Sequence, residues 1–134
     1  MMARTYWRRS LSGFLLALVL TATGCGTEPA GGPIAAADLA ARIENGTAPV
    51  IFDVRTATEY ADGHVPGAVL LPHTEVAERA DEFSVFRDLE VVVYCRSGKR
   101  AGMAEADLVA AGFTRVRNLE GHMLEWQAGG YPLE

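Results

Sequence analysis

Apolar residues recur along this chain with two different periods, and their alternation sets the expected architecture. Leu39, Ala40 and Ile43 fall at helical spacing within 35–44, and Asn45-Gly46 follows where a helix would stop. Val50-Ile51-Phe52-Asp53 is a short apolar run without polar alternation, the pattern of a strand covered on both faces. A helical turn over 58–60 and a second strand over 68–71, closed by Pro72, come next, and a helix is expected over 74–83. Glu90 to Tyr94 holds three consecutive valines and carries the strongest strand signal. The alanine-rich segment 99–111 places Ala101, Ala104 and Leu108 on one helical face and ends at Gly112. A strand over 114–119 and a helix over 122–128 complete the series. Strands alternating with helices need crossover connections, so the expected class is α/β, a mostly parallel central sheet with helices on both sides. Ligands of such sheets sit beyond the carboxyl ends of the strands, and Cys95 follows directly on the 90–94 strand.

The first residues follow a different grammar. Arg4, Arg8 and Arg9 precede the apolar run Leu11 to Leu20, and small and polar residues lead from there to Cys25. This is the pattern of a secretory signal peptide over 1–24, with an apolar core about half the ~20 residues that a spanning helix requires. Ala22-Thr23-Gly24-Cys25 resembles a bacterial lipobox, with Ala22 where that pattern prefers Leu. The resemblance implies cleavage before Cys25 and lipidation of its thiol. Glycines and prolines from Thr27 to Pro33 suit a tether, so 25–34 reads as lipidation site and tether and 35–134 as the domain. The expected location is the bacterial cell envelope, as an exported lipoprotein facing the periplasm that meets the membrane only through its lipid anchor.

Composition narrows the function classes. A chain of 134 residues with 49% hydrophobic residues can bury one ordinary core and has no room for a second. Beyond residue 24 there remain nine basic against 17 acidic side chains, a net charge of −8. That balance argues against nucleic acid or an anionic membrane face as the main partner, since both reward basic surfaces. There are two cysteines, so if Cys25 carries lipid, Cys95 has no disulfide partner in the chain.

The segment around Cys95 concentrates the chemistry. Val91-Val92-Val93-Tyr94-Cys95-Arg96-Ser97-Gly98-Lys99-Arg100 sets a cysteine between a buried strand and a helix N-terminus. Loop N–H groups and the helix start form an electropositive cup for an anion, and Arg96, Lys99 and Arg100 add full charges. Both effects favour a thiolate and make Cys95 a candidate nucleophile. Gly98 lets the loop turn tightly. Asp53 and Arg55 are candidates for active-site support, or for a hydrogen-bonded pair that ties the strand end to the next turn. Glu59 either faces the cleft or begins a helical turn. His64, His73 and His122 are isolated, without the Cys/His spacing of a zinc site, and Trp126 and Tyr131 are expected to pack.

Cys95-Arg96-Ser97-Gly98-Lys99-Arg100 resembles the active-site loop of the rhodanese family of sulfurtransferases. Asp53-Val54-Arg55 with Glu59-Tyr60, the Gly63-His64-Val65-Pro66-Gly67-Ala68 segment, Ala110-Ala111-Gly112-Phe113 and Leu119-Glu120-Gly121 to Trp126 resemble other family segments in order. The likeness runs from about 35 to 132 and departs at His122, where the family usually has a second glycine. It implies a three-layer α/β/α fold. It also implies transfer of sulfane sulfur from thiosulfate or a related donor, through a Cys95 persulfide, to a thiol, cyanide or a protein thiol. Arg96, Ser97, Gly98, Lys99 and Arg100 would bind the donor, and neither metal nor organic cofactor is implied. Cysteine phosphatases use a Cys-x5-Arg loop, whereas Arg100 stands one position closer and Ala101 fills the phosphatase position. Alternatives that keep the same site are a persulfide carrier or redox-sensing module without turnover, and an anion-binding domain.

Overall fold

The computed structural model describes residues 31–134; the segment expected to be a signal peptide, Cys25 and the expected tether up to residue 30 lie outside the described residues. Four strands, β1 (Val50–Asp53), β2 (Val69–Leu70), β3 (Glu90–Tyr94) and β4 (Arg115–Asn118), form an all-parallel sheet in the order β2-β1-β3-β4. β1 pairs with β3 from Val50 opposite Val91 to Asp53 opposite Tyr94, and β3 pairs with β4 from Glu90 opposite Arg115 to Val93 opposite Asn118. Ile34 adds a parallel bridge to Leu119 beyond the end of β4. The helices are α1 (Ala36–Glu44), α2 (Ala57–Ala61), α3 (Val76–Arg79), α4 (Lys99–Ala110) and α5 (His122–Ala128). The expected three-layer α/β/α architecture is the one found.

The uninterrupted apolar run of β3 has a direct cause. Alternate residues of a strand point to opposite faces, and here both faces are covered. Val91, Val93 and Cys95 enter a cluster with Val76 of α3 and Ala101, Ala104 and Leu108 of α4. Val92 and Tyr94 enter a second cluster with Leu39 of α1 and with Met123 and Trp126 of α5. Trp126 is fully buried, donates its indole N–H to the Pro132 carbonyl at 2.8 Å, and packs against Tyr131 with ring centroids 5.0 Å apart.

The 74–83 segment departs from the single helix expected there. α3 lasts four residues, and a 3₁₀ segment, Ala80–Phe86, continues it with a kink at Phe83. In a 3₁₀ helix side chains three apart eclipse one another. Phe83 is itself non-helical and interrupts that winding, and across the kink Ala80, Phe83 and Phe86 all meet the same core cluster. Phe83 meets Phe52 edge-on at 5.0 Å between centroids. β2 is also shorter than the 68–71 run, although the Leu71 and His73 N–H groups still donate to the Asp53 and Val54 carbonyls beside it.

Candidate active site

Between the end of β3 and the start of α4 lie only Cys95, Arg96, Ser97 and Gly98. The strand aims Cys95 into the core, where the residue is 1% exposed, and the loop folds back over it so that the Gly98 N–H donates to Sγ at 3.0 Å. Gly98 has φ +124°, a conformation that costs glycine little and other residues much. A Cβ there would also lie 2.9 Å from Nε2 of His122. Gly98 is thus required twice over, by its backbone and by the ring against it. Arg96, Ser97 and Lys99 are exposed.

Arg100 is placed differently from Arg96 and Lys99. Its two terminal nitrogens donate to Oε2 and Oε1 of Glu59 at 2.7 and 2.9 Å, a two-pronged pair joining the first turn of α4 to α2. Glu59 also closes the capping box of α2 with Thr56. The Arg100 hydrogen bonds hold the Glu59 carboxyl down to about 2, so the pair stays charged through any ordinary pH. Arg100 is in turn raised, first by Glu59 and to a lesser degree by the adjacent Cys95 sulfur. Among the described residues Arg96 and Lys99 have no ion-pair partner. They are therefore the loop cations left free to meet an incoming anion, while Arg100 has most of its charge answered by Glu59.

The start of α5 completes the site. Backbone N–H groups in the first turn of a helix lack partners within the helix. Here those of Met123 and Leu124 donate to the carbonyls of Cys95 and Arg96 at 3.0 and 3.2 Å, pinning the loop from below. His122, the first residue of α5, has φ +51°, which costs a side-chain-bearing residue about 1–2 kcal/mol. Its Nδ1 lies 3.3 Å from the Cys95 N–H, which donates to it. In the sequence His122 stands as an isolated histidine and as a departure from the usual second glycine. The signal that could have found it was the placing of a bulky side chain at a helix start where glycine is usual.

Asp53 and Arg55 are brought together in the interior beside the loop. Asp53 Oδ1 accepts from the Arg55 backbone N–H at 3.0 Å and from its Nε at 2.9 Å; Oδ2 accepts from Arg55 Nη2 at 2.6 Å and from the Tyr94 hydroxyl at 2.7 Å. Arg55 Nη2 further donates to the Gly63 carbonyl, and the Tyr94 oxygen accepts from the Val65 N–H. Burial pulls the Arg55 guanidinium down, but the hydrogen bonds and charge of Asp53 outweigh it and the net shift is upward. Burial raises the Tyr94 hydroxyl, keeping it a neutral donor. Asp53 is fully buried and Arg55 is 5% exposed, at the edge of a cleft of about 160 Å³ also lined by Glu59, Asp62, Arg96 and Gln127. The pair holds β1, β3 and the 63–65 turn together under that cleft. Among the described residues no group of three or more His, Cys, Asp or Glu side chains could hold a metal ion.

Known proteins resemble this chain in sequence and fold. The family model for the Rhodanese-like domain matches residues 35–129. A sulfurtransferase of Allochromatium vinosum is 39% identical over 84 residues, 63% of this chain and 77% of its own length. The thiosulfate sulfurtransferase PspE of Escherichia coli is 38% identical over 70 residues, 52% of this chain and 67% of its own. The crystal structure of the Alr3790 protein from Anabaena sp. superposes with a TM-score of 0.69 at 34% identity, covering 75% of this chain and 80% of that one. The chain spans less than half the length of two further curated relatives.

Proposed function

We propose that this chain, which belongs to the family of rhodanese-like domains, moves sulfane sulfur from thiosulfate or a related donor to a thiophilic acceptor through a persulfide on Cys95. The observation that carries the reading is the Gly98 N–H held 3.0 Å from Cys95 Sγ at the carboxyl end of β3 and the start of α4. A preorganised donor at the sulfur stabilises negative charge there without reorganising during reaction. The Cys95 thiolate attacks the outer sulfur of thiosulfate, the S–S bond breaks, and sulfite departs with the bonding pair. The negative charge that remains on the terminal persulfide sulfur sits in the same cup. A thiolate or cyanide then attacks that terminal sulfur, leaving as a persulfide or thiocyanate and returning Cys95 to thiolate. Arg96 and Lys99 attract the donor's anionic end, and relatives named as sulfurtransferases support the same chemistry.

Arg100 bears on the choice between sulfur and phosphate. An arginine that clamps phosphate must offer its terminal nitrogens to the substrate, and both of these are given to Glu59. Sulfite release from thiosulfate is expected to exceed phosphate release from an aryl phosphate by at least about a hundredfold, the scale that placed N–H donors supply. The assay is both reactions on one preparation, with cyanide or a small thiol as sulfur acceptor; the reverse preference would reject the reading. Turnover past one equivalent per Cys95 marks an enzyme, and a halt at one equivalent marks a carrier.

For location, the arginines at 4, 8 and 9, the apolar run to Leu20 and Cys25 support an envelope lipoprotein facing the periplasm. Cys25→Ser is then expected to move the protein from the membrane to the soluble fraction on cell fractionation. Unchanged membrane association of that variant would count against lipidation.

A further inference from the structure

His122 occupies a backbone conformation that glycine would adopt without strain, and its ring touches both ends of the four-residue loop around the reactive cysteine. Nδ1 accepts the Cys95 N–H at 3.3 Å, and Nε2 lies against the Gly98 α-carbon, 2.9 Å from where a Cβ would stand. Gly98 is the residue whose N–H holds the Cys95 sulfur. We propose that His122 is a positioning residue that holds the Cys95–Gly98 loop in its neutral form and releases it on protonation, so that it sets a lower pH limit for sulfur uptake. The inference rests on the sulfur-transfer reading above for its kinetic consequence, though not for the loop contact itself.

The physical argument turns on one lone pair. Nδ1 can accept the Cys95 N–H only while it carries no proton, which places the imidazole proton on Nε2. Protonation puts a second N–H opposite the first. The two donors repel, and the ring has little room to turn away because Gly98 lies against it. Either the loop shifts or the contact is lost, and with it the alignment of the Gly98 N–H on sulfur.

The ring meets the loop at Cys95 and Gly98, and the titratable groups on that loop and the first turn of α4 are Cys95, Arg96, Lys99 and Arg100. Those beside His122 in its own segment are Glu120 and Glu125, and those on α1, which packs against α5, are Asp38, Arg42 and Glu44. Arg100 is answered by Glu59, and Glu125 folds back over Gly121. Burial lowers the His122 pKa below that of a free imidazole. The sign follows: the unfolded chain takes up the proton more readily than the fold. The held loop is therefore fully favoured above about 6.5 and is lost as pH falls through the lower folded-state value. Glu59, held at about 2, stays charged across this window and does not imitate the effect.

The test uses the full chain, its His122→Asn and its His122→Gly variants. Asparagine tolerates left-handed backbone and offers a side-chain oxygen that does not titrate. At pH 8 the Asn variant is expected to release sulfite severalfold faster than the Gly variant. The Gly variant should have a thermal midpoint no lower than wild type, since glycine relieves the strained φ; a merely structural histidine would lower both. Acid losses common to all three chains belong to other groups, so the quantity read is the wild-type rate divided by that of the Asn variant. This ratio is expected to fall about tenfold per pH unit below the His122 midpoint. In parallel, the Cys95 amide signal in a nuclear magnetic resonance titration should move with the His122 ring signal, at one shared midpoint below that of free imidazole. A flat rate ratio between about pH 4.5 and 8, or a Cys95 amide indifferent to His122, overturns the proposal. If no variant releases sulfite, the sulfur-transfer reading fails while the amide titration still decides the role of His122.

Discussion

Replacing Cys95 with serine is expected to stop sulfite release from thiosulfate, with a fall of about three orders of magnitude or more, the scale seen when a nucleophile is removed. A hydroxyl can occupy the same volume and accept the Gly98 N–H, but its oxygen cannot form a persulfide. The rest of the cup remains. Thiosulfate binding, read by its protection of the fold against heat, should therefore persist in the variant while turnover vanishes. The fold should survive as well, since one small buried polar group with a donor already beside it costs only about 1–2 kcal/mol. Mass spectrometry after incubation with thiosulfate provides the direct readout: wild type gains one sulfur atom on the peptide holding Cys95, and Cys95→Ser gains none. Sulfur found on the serine variant, or full turnover by it, would move the chemistry elsewhere.

Asp53→Ala is expected to be the most damaging substitution for stability, at about 3–5 kcal/mol, because it strands the charge of Arg55 in the interior. Such a loss is a large share of the roughly 5–15 kcal/mol that holds an ordinary domain together. Urea unfolding should show a lower midpoint at unchanged slope. The Tyr94 hydroxyl and the Arg55 backbone N–H lose their acceptor in the same step, so the damage spreads to β3 and to the turn that follows β1. A second substitution distinguishes a stranded charge from a mere cavity. Adding Arg55→Met to Asp53→Ala removes the unpaired guanidinium while keeping much of its apolar volume. The double variant should be more stable than Asp53→Ala alone. If it is less stable, the two effects simply add and the ion-pair account is wrong.

How far the sequence reached differs from one element to the next. β1 and β3 were legible to the residue, since a strand covered on both faces is mostly apolar, and Val50–Phe52 and Val91–Val93 are uninterrupted apolar runs set off by Asp53 and Glu90. The 74–83 segment was not, because the chain kinks at Phe83, whose ring packs on Phe52 of β1, a partner distant in sequence. Cys95 and its loop could be read as a contiguous motif between a strand and a helix. The partners of that loop lie far along the chain: Glu59, 41 residues from Arg100, takes up the guanidinium, and His122, 27 residues from Cys95, takes the Cys95 N–H.

By itself, then, the sequence determined the α/β class, the place of Cys95 between a strand and a helix, and the family, because periodicity and contiguous motifs are local properties that chain neighbours impose on one another. Tertiary structure alone decided that Arg96 and Lys99 stay free while Arg100 is paired, what the Asp53–Arg55 pair holds together, and that a histidine lies on the cysteine's amide. Those outcomes depend on which distant side chains crossover connections bring to one end of a sheet. Charge neutralisation, burial and hydrogen bonding act over a few ångströms of space, whatever the number of residues between the groups.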